Sequence, residues 1–548
     1  MAQPIPRIDL TMQDLRTLLE HVRPRLTDEE HETLTAVVHT LGYVADLLED
    51  QTTTIARLRQ LLLSSPRTEK TREVLERAGV EVPPPGADAV GPDRERHRAG
   101  RERAAGGHGR HGVEAYDGAR QVAVPHPRLK HGDRCPECAT GKVYAQREPG
   151  VLVRIVGQAP VTATVYALEK LRCNLCGELF TAAPPADVGA EKYDATTGAM
   201  VALLKYGSGM PFHRLERLQA NVHIPLPAST QWEIVAATAT RIHPALEALI
   251  RQAAQGEILH NDDTSMTVLD LVRPGSPRGD PGDVSPDRTG VFTSGIVSTR
   301  DGHRVALFVT GRRHAGENLA QVLAERAADL GPPIQMCDAL SRNLPKPLAV
   351  ILGHCLAHAR RRFVEVTPSF PAECRHVLET LRDVYRYDAQ AREQALSPEE
   401  RLAGHRTHSG PLMDQLHTWL TAHLDEHRVE PNSGLGQAIA YLVNHWMPLT
   451  LFLRQPGAPL DNNLCERALK KAILHRKNAL FYRTPNGAHV GDLFMSLIHT
   501  CELAGANPFD YLTTLQRHGD DLATKPTAWM PWNYRETVTQ LDTAVTSA

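Results

Sequence analysis

The sequence predicts a multidomain α+β protein, on three observations. At 548 residues the chain is too long for one compact core. Its hydrophobic period changes along the chain, from helical three- and four-residue steps to strand-like alternation and back. After Gly256, short apolar runs fall in the order strand, strand, strand, helix, strand. The formal net charge is −3, so a nucleic-acid surface has to be local rather than global. No apolar run approaches the roughly 20 residues needed to span a bilayer, and the start, MAQPIPRIDLTMQDL, lacks the regions of a secretory signal. A cytoplasmic, reducing location is expected, where nine cysteines are free or metal-bound rather than paired in disulfides.

Residues 1–82 read as a helical dimerisation region. Leu34, Val37, Leu41, Val44, Leu48, Ile55, Leu58 and Leu62 fall on alternating three- and four-residue steps, with Gln51 in one polar slot. That pattern favours a dimeric coiled coil; an amphipathic helix packed on its own chain is the alternative. Residues 83–118 read as a disordered linker, because from Pro83 to Gly112 proline, glycine and arginine dominate and large apolar residues nearly vanish. Residues 119–185 carry Cys135-Pro-Glu-Cys138 and Cys173-Asn-Leu-Cys176, whose four thiolates complete a tetrahedron for a structural Zn²⁺. A zinc ribbon is expected, with strands at Val151–Val156 and Val161–Tyr166 between the knuckles. Residues 186–254 read as successive helices. A helix beginning near Pro211, a turn over His223–Thr230 and a Ser or Thr cap before Trp232 suit a helix-turn-helix DNA reader, an ordinary helical connector being the alternative.

Residues 255–366 change period again. Glu257 to Asp262-Asp263 is a short strand running into two carboxylates. Val291–Ser298 and Val305–Val309 are strands joined around Asp301-Gly302, a hairpin signal. Glu317–Leu330 reads as a helix, and Ile334–Asp338 as a strand ending in aspartate. This order is that of a ribonuclease-H-like α/β catalytic domain, in which the first and fourth strands are neighbours and their terminal carboxylates share divalent metals. Two such ions about 3.5–4 Å apart assist both the attacking and the leaving oxygen of phosphodiester chemistry. Carboxylate ligands favour Mg²⁺ or Mn²⁺. Residues 367–459 read as a helical insertion, from Val377, Leu378, Leu381, Val384 and Tyr385 and from Leu412, Leu416, Leu420 and Leu424, with Trp446 near its end packing the core. Residues 460–515 resume the domain with Glu466, which stands among Arg467, Lys470, Lys471, His475, Arg476 and Lys477; 516–548 are a C-terminal tail.

Several blocks together resemble one family. Cys355-Leu-Ala-His-Ala-Arg-Arg-Arg-Phe363, Asp461-Asn-Asn-Leu-Cys-Glu-Arg467, Arg476-Lys-Asn478, Gly487-Ala488 and Asn507-Pro-Phe-Asp-Tyr-Leu512 are similar to the signature blocks of insertion-sequence-66 family transposases. The resemblance runs from about Thr33 to Leu512. It implies a DDE transposase with Asp262, Asp338 and Glu466 as the triad that binds catalytic Mg²⁺ or Mn²⁺, cutting and joining strands at element ends. Its implied partners are double-stranded DNA, both terminal repeats and target, a second copy of the chain in a homodimer or higher oligomer, and small accessory proteins of the element, in a bacterial, nucleoid-associated setting without a membrane. Arg476 and Lys477 are expected to hold phosphate, with Lys470 beside them and His358, Arg360 and Arg361 lining the groove. The chain departs from the family pattern in having Asp263 after Asp262, Asn261 in place of a small residue, and Ala339-Leu-Ser341 after Asp338. A transposase-derived DNA-binding protein without catalysis, and a nuclease that cuts without joining, are the rival readings.

Overall fold

The computed structural model describes residues 191–272 and 288–547 without interruption, and before them 70–79, 127–136, 140–144, 157–172, 179–186 and a few scattered positions. The chain divides into two units, Met1–Val74 and Leu75–Ala548, and the sheet and its helices belong to the second. The coiled-coil positions from Val37 to Leu62, the linker 83–118 and the cysteines Cys138, Cys173 and Cys176 lie outside the described residues.

In the cysteine-bearing segment two short strands, β1 (Lys170–Arg172) and β2 (Leu179–Thr181), pair antiparallel and flank the second knuckle. A bridge between Arg134 and Lys142, with the Cys135 N–H donating to Gly141 O at 2.8 Å, closes a similar loop at the first. The strand expected at Val161–Tyr166 is absent: Val165 is 91% exposed, and Val161 exchanges backbone hydrogen bonds with the buried Gln219 amide instead of a neighbouring strand. Val151–Val156 lies outside the described residues.

Three helices follow: α1 (Ala195–Ala202), α2 (Phe212–Asn221) and α3 (Ala228–Ala254). The Asp194 carboxylate accepts from the Thr197 N–H and caps α1. The helix, turn, helix succession of 212–254 is present, but α3 starts directly after Pro227, so Ser229 and Thr230 lie inside its first turn rather than capping it. Val235, Ile242, Ala245 and Leu249 of α3 are buried in the same core as the sheet.

The sheet has five strands: β3 (Ile258–Ser265), β4 (Phe292–Arg300), β5 (His303–Gly311), β6 (Ile334–Cys337) and β7 (Ile351–His354), in the order β5-β4-β3-β6-β7. The first three are antiparallel, whereas β6 and β7 run parallel to β3. Asp301 (φ 49°) and Gly302 (φ 77°) make the hairpin turn, both left-handed as a two-residue loop requires. β3 does not end at its carboxylates. It continues to Ser265 because β4 pairs with it over its whole length, while β6 has already ended.

The crossover helix α4 (Ala315–Leu323) is shorter than its sequence pattern. Arg326 ties the chain beyond it to the carbonyls of Ala254, Gly256 and Gly331, which draws it out of the helical path. After β7 come α5 (Leu356–Val366) and a run of helices that includes α6 (Pro371–Glu393), α7 (Pro398–Gly404), α8 (Gly410–Asp425) and α9 (Gly434–Asn444). Trp446 packs on the His417 ring, centroids 4.5 Å apart.

Next, α10 (Asn463–Ala479) lies on the sheet and α11 (Pro485–Ala504) closes its edge. The N–H groups of Ala306, Phe308 and Thr310 on edge strand β5 donate to Thr500 Oγ1, Ser496 Oγ and Asp492 Oδ2. Two residues of strand and four of helix both advance about 6 Å, so the two repeats match and the edge is satisfied by side chains. The end of the chain is folded: α12 (Pro508–Arg517) and α13 (Tyr534–Ser547) follow, with Trp529 buried between them and its carbonyl held by the Tyr511 hydroxyl at 2.7 Å. Among the described residues no helix is long and apolar enough to cross a membrane.

Candidate active site

The site is assembled from three elements distant in sequence. On β3 and β6 the last paired residues are His260 and Met336. Two positions further on each strand stand Asp262 and Asp338, on the same side of the sheet because strand side chains alternate. Glu466 comes from the first turn of α10, which crosses β3 and β4. That crossing needs a glycine. Gly295 pairs with Asp262, and a Cβ there would stand 3.0 Å from the Leu469 side chain and 3.3 Å from Cys465 Sγ. The Cys465 thiol donates to Gly295 O at 3.2 Å, so helix and strand are nearly in backbone contact beneath Glu466.

A buried amide network ties the three carboxylates together. Asn462, fully buried just before α10, faces His260 Nδ1 with its Oδ1 at 3.1 Å, and donates from Nδ2 to Asn261 O at 3.1 Å. Asn261 donates to Asn343 O and accepts from Gln335 Nε2, both at 2.8 Å. Asn343 in turn donates from its side chain to Asp338 Oδ1, which also accepts from the Leu340 N–H at 3.1 Å. Asn462, Asn261 and Gln335 each donate to a backbone carbonyl, and Asn343 holds the Asp338 carboxylate, which leaves that group little freedom to rotate away.

Adjacent aspartates on β3 have opposite fates. Asp263, its side chain 1% exposed, meets His314 Nδ1 at 2.9 Å and Arg342 at 3.1 Å. Asp262 has no such cation: burial pushes its carboxyl up to about 7, and the charges of Asp338, Asp263 and Glu466 push the same way against one stabilising N–H from Asp263. Charge is therefore uncompensated at Asp262 and compensated at Asp263.

Around them, His358 on α5 places Nε2 3.7 Å from Glu466 Oε1. His358 and Arg361 line, with Asp338, Arg362 and Tyr441, a cleft of about 380 Å³ that opens beside Asp338. Arg360 is half-buried on the same helix. Lys470 and Lys477 are exposed along α10. Glu466 faces His358, and Lys471 pairs with Glu502 at 2.7 Å. Arg476 differs from its expected role: its guanidinium is spent on Thr264 Oγ1 (3.1 Å) and Ser265 Oγ (2.7 Å), bracing the end of β3. Asp461 accepts from the Asn463 N–H at 3.1 Å, at the start of α10. Of the four cysteines expected to bind zinc only Cys135 is described. Sequence reasoning passed over Gln335, Asn343 and Gly295, and read Asp461, Asn462 and Asn463 as a helix cap. The signal for Asn462 was present in the Asp-Asn-Asn block, where a helix cap was one role and a buried pin is the other.

Residues 192–490 match the model of a family described as Transposase IS66 family. Relatives occur in Sinorhizobium fredii (strain NBRC 101917 / NGR234). Uncharacterized protein y4jD is 33% identical over 189 residues, 34% of this chain and 36% of its own length. Uncharacterized protein y4hP is 25% identical over 399 residues, 67% of either chain, and uncharacterized protein y4qI 22% over 349 residues, 62% of either. The chain thus spans only about a third of y4jD and about two thirds of the other two.

Proposed function

The chain belongs to the IS66 transposase family, and from that premise we propose that it is a DDE transposase that cuts and joins DNA strands at the ends of its element. The observation that carries this reading is the convergence of Asp262, Asp338 and Glu466, where burial and the neighbouring carboxylates hold the Asp262 carboxyl up near 7. A hard divalent cation fits that donor set, since it would remove the repulsion that raises Asp262. The three carboxylates would hold Mg²⁺ or Mn²⁺, which when bound supplies Lewis-acid help to the attacking and leaving oxygens of a phosphodiester. The chain's own residues do the rest. The amide network fixes the Asp338 carboxylate and joins the segments that carry Asp262 and Glu466, Arg476 stiffens the strand that bears Asp262, and Lys470, Lys477, Arg360 and Arg361 draw the phosphate backbone to the surface beside them. His358 sits at the rim, next to Glu466.

The five-stranded sheet is read as ribonuclease-H-like, with 367–459 as its helical insertion. Cys135, Cys138, Cys173 and Cys176 are read as a structural zinc ribbon, and the coiled coil as the means of bringing two copies onto paired element ends. Double-stranded DNA is the substrate and target, with accessory proteins of the element as further partners.

The test is purified full-length protein with Mg²⁺ and a labelled element-end duplex. Cleavage at the 3′ end and strand transfer are expected, both lost in Asp262→Ala and in Glu466→Gln while DNA binding persists. Binding without cleavage by the wild type would identify a DNA-binding derivative, and cleavage without joining a nuclease.

A further inference from the structure

Cys355, His358 and Glu466 each direct a ligand atom to one spot: the thiol sulfur, a ring nitrogen and a carboxylate oxygen all lie within 4.8 Å of one another. Cys355 precedes the first turn of α5, His358 lies three residues on in the same turn, and Glu466 arrives from α10. The His358 to Glu466 separation of 3.7 Å is too long for a hydrogen bond. It is close to the spacing of neighbouring ligands around a tetrahedral ion, about 3.5 Å for bonds of about 2.0–2.3 Å. Cys355 is buried, and its sulfur accepts the Asn462 N–H at 3.2 Å, the kind of supporting bond that holds a metal-binding thiolate in place. His358 also lines the cleft beside Asp338, which provides an entry path.

We propose that Cys355, His358 and Glu466 form a second metal site, selective for a thiophilic divalent cation such as Zn²⁺, whose filling withdraws Glu466 from the three-carboxylate set and suppresses strand cleavage. Sulfur and imidazole donors choose the softer ion, while Asp262 and Asp338 offer only oxygen, so the two sites differ in chemistry and compete for one residue. On binding, the Cys355 sulfur forms the metal bond and its proton passes to solvent. The inhibitory consequence rests on the DDE reading of Glu466; the site itself does not.

The probe is Co²⁺, titrated into the metal-free full chain and into Cys355→Ser, with thiolate-to-cobalt absorption read at saturation. Any contribution of the ribbon cysteines is common to both proteins and cancels. The expected result is thiolate-to-cobalt absorption in the wild type beyond that of Cys355→Ser. Should Cys355→Ser fail to fold, His358→Gln carries the same comparison. Equal absorption in wild type and variant would overturn the site. In the cleavage assay with Mg²⁺, micromolar Zn²⁺ is expected to lower the wild-type rate by about tenfold, a coupling of ordinary size. The rate of Cys355→Ser, measured against its own zinc-free level, should stay unchanged. Added thiolate absorption in a protein that never cleaves would leave the metal site standing and remove the transposase reading, whereas equal zinc inhibition of both proteins would remove the competition.

Discussion

Two clusters of carboxylate chemistry stand in this molecule, and they are built in opposite ways. In the helical run after β7, Asp388 is 2% exposed, yet its pKa is lowered below the usual aspartate value. Burial alone would raise it. A hydrogen bond from His405 (3.2 Å), the Arg401 guanidinium (2.7 Å) and Arg392 more than offset that penalty. At the sheet, Asp262 is pushed the other way, to about 7, by burial and then by the carboxylates that surround it. A saturated buried charge is architecture: it pins α6 to α7 and to the turn before α8. An unsaturated cluster costs stability and persists where something outside the chain completes it.

The sharpest break of that contrast is a matched pair of neutral substitutions. Asp262→Asn is expected to reduce cleavage by on the order of 10⁴-fold, as losses within a unit that acts together do, while leaving the denaturation midpoint of the metal-free protein unchanged or higher. Asp388→Asn strands two guanidinium groups and a histidine, and should cost roughly 3–5 kcal/mol in denaturant unfolding. Equal stability losses in the two variants would erase the distinction. Next in size is Gly295→Val, which must push Leu469 and Cys465 off β4; overpacking there should cost about 1–3 kcal/mol and lower cleavage with DNA affinity retained. Unaltered cleavage in a folded Gly295→Val protein would show that the close helix approach does not position Glu466.

The smallest effect is one of pH. Asp262 ionises near 7 in the folded chain but near 3.8 when free, so folding takes up a proton between those values. The protonated form stabilises the fold below about 4, and that contribution is lost as pH rises toward 7. Mg²⁺ must displace the same proton below 7 but not above it. The rise in Tm on adding Mg²⁺ should therefore be larger at pH 8 than at pH 6, and the difference should vanish in Asp262→Asn. Asp492, buried and also raised to about 7, shifts the baseline at both conditions without touching the increment.

Much of the sheet was legible in the residues. Asp301-Gly302 announced its turn, and alternation marked β4 and β5, because both signals act between residues adjacent in the chain. The order of strands also implied that β3 and β6 are neighbours. What alternation did not carry was where β3 stops, since that depends on β4 running alongside it to Ser265. Nor did it carry the length of α4, which is set by carbonyls that Arg326 finds as far back as Ala254.

Within the site, the sequence by itself determined which side chains were available: two aspartates in strand register, a glutamate in a helix, cations around it. Only the tertiary structure decided which aspartate meets the glutamate. Asp262 and Asp263 are chemically identical, and the pleat sends one toward Asp338 and Glu466 and the other toward His314 and Arg342. The same holds for Arg476, a free cation on paper and a strand brace in the fold. Asn462 reaches His260 across 202 positions of chain. Such a contact has no local period to betray it, because it exists only once the intervening sheet and helices have closed the distance.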